Sequence, residues 1–211
     1  MKHMQLNVPQ KICLVFLLFL FVFWIALFAS GFTDGFYNYL YSFLFGLIPF
    51  VGGMIAMARS RLWGGFKSAV GKAVFFIGLG IFLWGCGEII WSYYNFFLGV
   101  PAPYPSLADI GFAPSIFFYG LGAFYLSKAT GAKFGLRNPY AKVFVLIAPV
   151  IILAVSYYVS VTIARGGILV PPLETPLKTF FDIAYPLGDF VGLTIAVLVS
   201  GLSFRYLGGK Y

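Results

Sequence analysis

Charged residues are scarce in this chain. Asp, Glu, Lys and Arg make up 9% of its 211 residues, hydrophobic types make up 61%, and the mean hydropathy is +0.95. A soluble domain carries roughly 25% charged residues. The shortage of charge therefore excludes a soluble protein and indicates that the lipid bilayer is the solvent of this chain.

Histidine and cysteine are almost absent as well. The single histidine is His3, and Cys13 and Cys86 both lie in apolar stretches. One histidine excludes bis-histidine haem, the usual zinc sites and histidine proton relays, and lone thiols in apolar helices are typical of packing residues. The sequence has neither a phosphate-binding glycine loop nor a Gly-x-Ser-x-Gly motif. We therefore expect no cofactor, no metal site and no catalytic residues, so the chain is not predicted to be an enzyme.

The few acidic residues lie apart from the basic ones. All Lys and Arg residues except Arg165 and Lys178 fall into four groups, and long apolar stretches separate these groups. The groups are Lys2 and Lys11; Arg59, Arg61, Lys67 and Lys72; Lys128, Lys133, Arg137 and Lys142; and Arg205 and Lys210. Each gap is long enough to cross a bilayer twice, and basic residues concentrate in cytoplasmic loops. The pattern predicts six crossings of the cell membrane with both termini in the cytoplasm.

The expected fold is an all-α integral membrane protein, a bundle of six transmembrane helices in one polytopic domain of residues 1–211. The helices are predicted over about 12–30, 36–58, 71–98, 108–127, 141–164 and 177–206. The apolar run of the first helix is too long for a signal peptide, so this helix is predicted to be retained. The net charge of +8 lies mainly in short loops. That placement favours anionic lipid headgroups as partner and argues against nucleic acid.

Helices 3 to 6 contain a weak internal repeat. The segment Asp109–Pro114 opens helix 4, the segment Asp182–Pro186 lies near the start of helix 6, and each follows a proline-rich outer loop. The repeat indicates a helical hairpin used twice, as helices 3–4 and 5–6, with chance similarity as the alternative. Gly71, Gly78 and Gly85 recur every seven residues in helix 3. Small residues let helices approach closely in lipid, which favours helix 3 as the central helix.

Acidic and aromatic residues share faces of two helices. One face of helix 3 carries Trp84, Glu88, Trp91 and Asn95. One face of helix 6 carries Asp182, Tyr185 and Asp189. Ionisable side chains within a span face the bundle interior or water, and a carboxylate between indole rings can bind a cation. The pattern predicts an outward-facing acidic and aromatic pocket. Protonated acids and an aromatic belt at the membrane interface are the alternatives.

The start of helix 4 adds two polar residues to this candidate pocket. Ser106 can cap the helix while Asp109 reaches back to it, which gives both residues a structural explanation as well. Pro114 and Pro186 each free a backbone carbonyl one turn earlier, close to an acidic residue. Such kinks can coordinate an ion or act as hinges, and they can equally be ordinary kinks.

Two stretches resemble the motifs of a polytopic module of archaeal and bacterial membrane sensors. They are Gly87-Glu88-x-x-Trp91-x-Tyr93 with Pro103-x-Pro105-Ser106-x-Ala108-Asp109, and Asp182-x-x-Tyr185-Pro186-Leu187-Gly188-Asp189. In that family similar helices precede cytoplasmic histidine-kinase, PAS or diguanylate-cyclase domains. The resemblance covers roughly helices 3 to 6 and implies a sensory role. Glu88, Trp91, Pro105, Ser106, Asp109, Asp182, Tyr185 and Asp189 occupy its motif positions.

The chain also departs from that family. Such modules usually continue with two more helices and an output domain, whereas this chain ends at Tyr211, just past helix 6. We therefore expect that the output was lost, that a partner supplies it, or that the six helices have another role. The resemblance implies no kinase or cyclase activity, because no residues here could perform it.

Three functions remain open on the sequence. The first is a membrane module that senses or binds a ligand, with a protein partner or a second copy in the membrane. The second is a non-catalytic subunit of a larger membrane complex. The third is a small cation transporter or channel. The lack of acidic residues in the inner halves of the helices argues against this function.

Overall fold

The computed structural model describes residues 8–32, 34–130, 139–163, 166–168 and 175–203. Within these ranges the regular structure is entirely helical. The long helices are α1 (Val8–Ala29), α2 (Phe36–Arg59), α3 (Ala69–Tyr93), α4 (Asp109–Ala129), α5 (Pro139–Tyr157) and α6 (Pro176–Ser203). A π-helical turn extends α3 over Tyr94–Leu98 and another extends α5 over Tyr158–Ile163. Two 3-10 turns, Ser60–Trp63 and Gly65–Lys67, connect α2 to α3.

All six predicted transmembrane helices are confirmed as helices that are long and apolar enough to cross a membrane. Their bounds agree with the prediction to within about one turn. The largest difference is at α1, which begins at Val8 rather than near residue 12. The predicted end of the last helix, 204–206, lies outside the described residues, as do Lys2, Lys133, Arg137, Arg165, Glu174, Arg205 and Lys210.

The helices pack side by side in a row. Extensive contacts join α2 to α3 and α3 to α4, α4 continues to α6, and α6 packs against α5. The N-terminal helix α1 packs mainly against α2. Among the described residues no extensive contact joins α1 to α5, so the row α1–α2–α3–α4–α6–α5 stays open. The predicted hairpins, helices 3–4 and helices 5–6, are therefore both pairs of packed neighbours.

Glycine explains why α3 sits between two close neighbours. Gly78 and Gly85 face α2, and Gly80 and Gly87 face α4. A Cβ at any of these positions would come closer than 3.0 Å to an atom of the facing helix. Close approach without a hydrophobic driving force is how helices associate in lipid. The prediction of α3 as the central helix is confirmed.

Candidate functional site

The helices carry opposite charges at their two ends, so the bundle has an acidic end and a basic end. The acidic end, where α4 and α6 begin, holds Asp34, Asp109 and Asp182 and, among the described residues, one cation, Lys178. The basic end lies where α1, α3 and α5 begin and where α2 and α4 end. Its described basic residues are Lys11, Arg59, Arg61, Lys67, Lys72, Lys128 and Lys142. The two remaining acids of the described ranges, Glu88 and Asp189, lie inside helices. No described acid therefore lies at the basic end.

The first turn of α4 is closed by a reciprocal cap. The backbone N–H of Ser106 donates to Asp109 Oδ2 at 2.6 Å, and Ser106 Oγ accepts from the N–H of Ala108 at 3.2 Å. The two side chains thus satisfy backbone donors that a helix start leaves without partners. The predicted reach of Asp109 back to Ser106 is confirmed, whereas the residue directly before the helix is Ala108 rather than Ser106. The contact holds Asp109 at the acidic end.

Two tyrosine–carboxyl hydrogen bonds then tie the acidic end together. The Tyr185 hydroxyl on α6 donates to Asp109 Oδ1 on α4. The Tyr104 hydroxyl, from the loop before α4, donates to Asp182 Oδ1 on α6 at 3.1 Å. Both carboxyl groups are only 7% exposed. Because a buried carboxyl is costly without a donor, these bonds give Asp109 and Asp182 a structural role in joining α4, α6 and the loop.

Some polar groups on the predicted face of α3 form hydrogen bonds within the same helix. Trp84 Nε1 donates to Glu88 Oε1 at 3.1 Å. Two turns nearer the acidic end, the Asn95 amide is assigned the orientation that satisfies both of its polar atoms. In it the amide accepts from Trp91 Nε1 and donates to the carbonyl of Val100, each at 3.3 Å. Trp91 and Asn95 thus form a local pair that closes the π-helical turn at the end of α3.

Close packing against α2 fixes the Glu88 side chain. Gly46 of α2 faces it, and a Cβ at that position would lie 2.7 Å from the Glu88 Cβ. The base of the Glu88 side chain therefore belongs to the α2–α3 contact, and its carboxyl accepts a hydrogen bond from Trp84.

A cavity of about 540 Å³ lies between α3, α4, α5 and α6 and contains Asp189. Trp84 of α3 lines one side of it and Ser156 of α5 lines another. The remaining lining residues are Phe112, Ser115, Ile116 and Tyr119 of α4 and Tyr185, Gly188, Asp189, Gly192, Leu193 and Ala196 of α6. The row of helices therefore surrounds one shared space, which Asp189 lines together with aromatic rings from α3, α4 and α6.

Asp189 differs from the other acids in its surroundings. It lies 13 residues after Pro176, about 20 Å along α6 at the usual helical rise, which is near the middle of this 28-residue helix. No side chain or backbone group of the described residues forms a hydrogen bond or ion pair with its side chain. Placing an ionisable group near the middle of a membrane-spanning helix costs free energy, so such a residue indicates a functional site.

Two glycines shape the walls of this cavity. A Cβ at Gly80 would lie 2.8 Å from the Tyr119 ring, so the absence of a side chain there lets the ring rest on α3. A Cβ at Gly188 would lie 2.6 Å from Ile116, so this glycine lets α6 approach α4 beside Asp189. Packing at these glycines thus adds to the hydrogen bonds of Trp84 and Tyr185 in positioning the rings that line the cavity.

The structure divides the predicted site residues into three places. Trp84, Tyr185 and Asp189 line the cavity, and Glu88 is joined to it through Trp84. Ser106, Asp109 and Asp182 belong to the acidic end, and Trp91 and Asn95 form their own pair. Sequence reasoning missed Tyr104, Tyr119, Ser115 and Ser156. Ser115 and Tyr119 are four residues apart on one face of α4, a spacing that is visible in the sequence but carries no charge to draw attention.

Within the described ranges no three His, Cys, Asp or Glu residues are grouped so that they could hold a metal ion. An aspartate among aromatic rings is suited instead to an organic cation, through charge and through the faces of the rings. Comparison with models of protein families, with curated proteins and with solved structures finds no match for this chain.

Proposed function

We propose that this chain is a non-enzymatic sensory module of the cell membrane that binds a hydrophobic organic cation in the cavity around Asp189. In this proposal the acidic end faces outward and both termini lie in the cytoplasm. The observation that supports it is the carboxyl of Asp189, which has no hydrogen-bond or ion-pair partner among the described residues. It lies near the middle of α6, exposed on the wall of a cavity lined mostly by apolar and aromatic groups.

The energetics favour a positively charged ligand. A lone carboxylate near the centre of a bilayer costs a few kcal/mol or more. A cation in the cavity would offset that cost, and Trp84, Tyr119 and Tyr185 could each add about 0.5–2 kcal/mol through their ring faces. The apolar lining in turn suits a ligand with a hydrophobic body, since most small-molecule sites are apolar with a few placed polar groups.

Tyr185 connects the cavity to the acidic end. Its ring lines the cavity, while its hydroxyl donates to Asp109 at the start of α4. A ligand beside Asp189 would therefore contact Tyr185 and change the packing of α4 against α6. Since α4 runs on to Lys128 at the basic end, a shift of α4 could carry the signal to a cytoplasmic partner.

Binding can be measured with tetraphenylphosphonium as the probe and the full chain in nanodiscs of zwitterionic lipid. We expect saturable binding that Asp189→Asn weakens at least tenfold, because the substitution removes the charge and keeps the shape. Asp34→Asn is the matched control, since Asp34 is an exposed acid in the turn before α2. Equal binding to both variants would contradict the proposal.

The open row of helices favours a second candidate, a non-catalytic subunit of a larger membrane complex. In α6 only 6% of the candidate span is buried, although this helix carries Asp182 and Asp189. Helix faces of this kind can pack against another chain in the membrane. Native mass spectrometry of the protein extracted from its own membrane tests this candidate. Other subunits in fixed ratio would support it, and a monomer or homodimer carrying a small molecule would support the sensory module.

A further inference from the structure

The connection between α2 and α3 is a tightly built turn. Gly64 and Gly65 have φ angles of 87° and 52°, which other residues rarely adopt. Ser68 Oγ accepts from the N–H of Gly71 at 2.8 Å and donates to the carbonyl of Trp63. A Cβ at Gly71 would collide with the backbone of Gly65. The turn is thus held to α3 through its backbone, and the positions of its side chains are set.

Those side chains form two sets that suit a membrane interface. Leu62, Trp63 and Phe66 are exposed, Trp63 to 60%. Arg61 and Lys67 lie on either side of these residues in the sequence. The candidate spans of α2 and α3 run to Trp63 and from Ala69, so the turn lies at the membrane boundary. Aromatic and basic residues at that level contact lipid headgroups.

Beneath the turn is a cavity of about 480 Å³ that is separate from the site around Asp189. Arg61 and Ser60 supply its polar groups, and Phe66 and Phe75 supply its apolar wall. The two rings lie 4.6 Å apart between centroids, and Phe66 is itself 58% exposed. The cavity therefore has a cationic side at the turn and an aromatic side that leads toward the lipid.

Two further lysines add positive charge at the same end of the helices. Lys72 Nζ lies 5.3 Å from the centre of the Tyr125 ring, and Lys128 Nζ lies 4.5 Å from that of Phe124. These contacts hold two further cations at the basic end. Because no described acid lies there, the positive charge has no carboxylate partner among the described residues.

We propose that this cavity binds the headgroup of an acidic glycerophospholipid. The planar Arg61 guanidinium would pair with the phosphodiester through two parallel hydrogen bonds. The Ser60 hydroxyl on the same wall already donates to the carbonyl of Met57 at 2.7 Å, so Arg61 is the group that recognises the phosphate. The first part of an acyl chain would lie along Phe66 and Phe75. This site is separate from the cavity around Asp189 and does not depend on the function proposed there.

The test uses the full chain in zwitterionic detergent, titrated with phosphatidylglycerol or phosphatidylcholine, with bound lipid counted by native mass spectrometry. We expect one phosphatidylglycerol to be retained and phosphatidylcholine to be retained weakly. Arg61→Gln should weaken the retention of phosphatidylglycerol by at least about tenfold, because it removes both charge-assisted hydrogen bonds of the guanidinium. Lys142→Gln is the matched control, because it removes the same charge from an exposed residue at the start of α5.

Three outcomes would overturn the proposal. If both variants weaken retention equally, the basic end attracts anionic lipid only through its overall charge. If inorganic phosphate displaces the lipid at equal concentration, the site binds a phosphate ion rather than a lipid. If phosphatidylcholine is retained as strongly as phosphatidylglycerol, the cavity is an apolar groove without preference for acidic lipid.

Discussion

At the scale of residues, the bond between Tyr185 and Asp109 permits a direct test of what joins α4 to α6. Tyr185→Phe removes the donor and leaves a carboxyl that is 7% exposed without this partner. We expect the free energy of unfolding to fall by about 1 kcal/mol, the usual size of such bonds between membrane helices. Unfolding in mixed micelles with increasing SDS fraction, in the absence of ligand, measures the change.

Tyr157→Phe is the control for this substitution. Tyr157 ends α5 and is exposed, and no described group forms a hydrogen bond with its hydroxyl. Its replacement should change stability by less than about 0.5 kcal/mol, as for most surface substitutions. If the two variants lose stability equally, the hydroxyl of Tyr185 contributes nothing specific to the α4–α6 contact.

The same residues show how far the site could be predicted from the sequence. The Ser106–Asp109 cap was predictable because capping needs only a local spacing of three residues. The Tyr104–Asp182 bond joins residues 78 positions apart, and no periodicity within one helix reveals such a pair. Glu88 and Asp189 were predicted to belong to one acidic and aromatic pocket. Their helices place Trp84 between the two, a detail that depends on the rotation of α3 against α2.

At the scale of elements, two adjacent glycines of α2 allow the effect of packing on stability to be distinguished from the effect of helix propensity. Gly53 faces α3, where a Cβ would collide with the backbone of Phe82, and Gly52 has no atom within 4 Å of its Cβ position. Gly53→Ala should destabilise the protein by about 1–3 kcal/mol, because it forces α2 and α3 apart. Gly52→Ala should be neutral or stabilising by up to about 1 kcal/mol, since alanine favours the helix.

Thermal unfolding of the two variants in one detergent provides the comparison. A loss of stability in both would indicate that alanine is tolerated poorly anywhere in α2 and would remove the argument from close approach.

The helices themselves were predictable from length and hydropathy, and α3 as the central helix from its glycines. The order α4–α6–α5 was not predictable, because short loops allow either neighbour of a hairpin to contact α4.

At the scale of the whole molecule, the two ends of the helix bundle differ in charge. The described acids lie at one end or inside helices, and seven described basic residues lie at the other end. This division is predictable from the sequence alone, because the groups of Lys and Arg alternate with pairs of apolar stretches. The fold adds that α2 and α3 present their basic residues at one level, on a turn rich in exposed aromatic residues.

This charge division leads to a prediction about orientation. In a variant with Cys13 and Cys86 replaced by alanine, single cysteines are introduced as Asp34→Cys at the acidic end and Lys67→Cys at the basic end. Intact cells are then treated with a maleimide that cannot cross the membrane. The positive-inside rule predicts that Asp34→Cys reacts at once and that Lys67→Cys reacts only after the cells are permeabilised. Labelling of Lys67→Cys alone in intact cells would indicate the reverse topology, and the acidic end beside the Asp189 cavity would then face the cytoplasm.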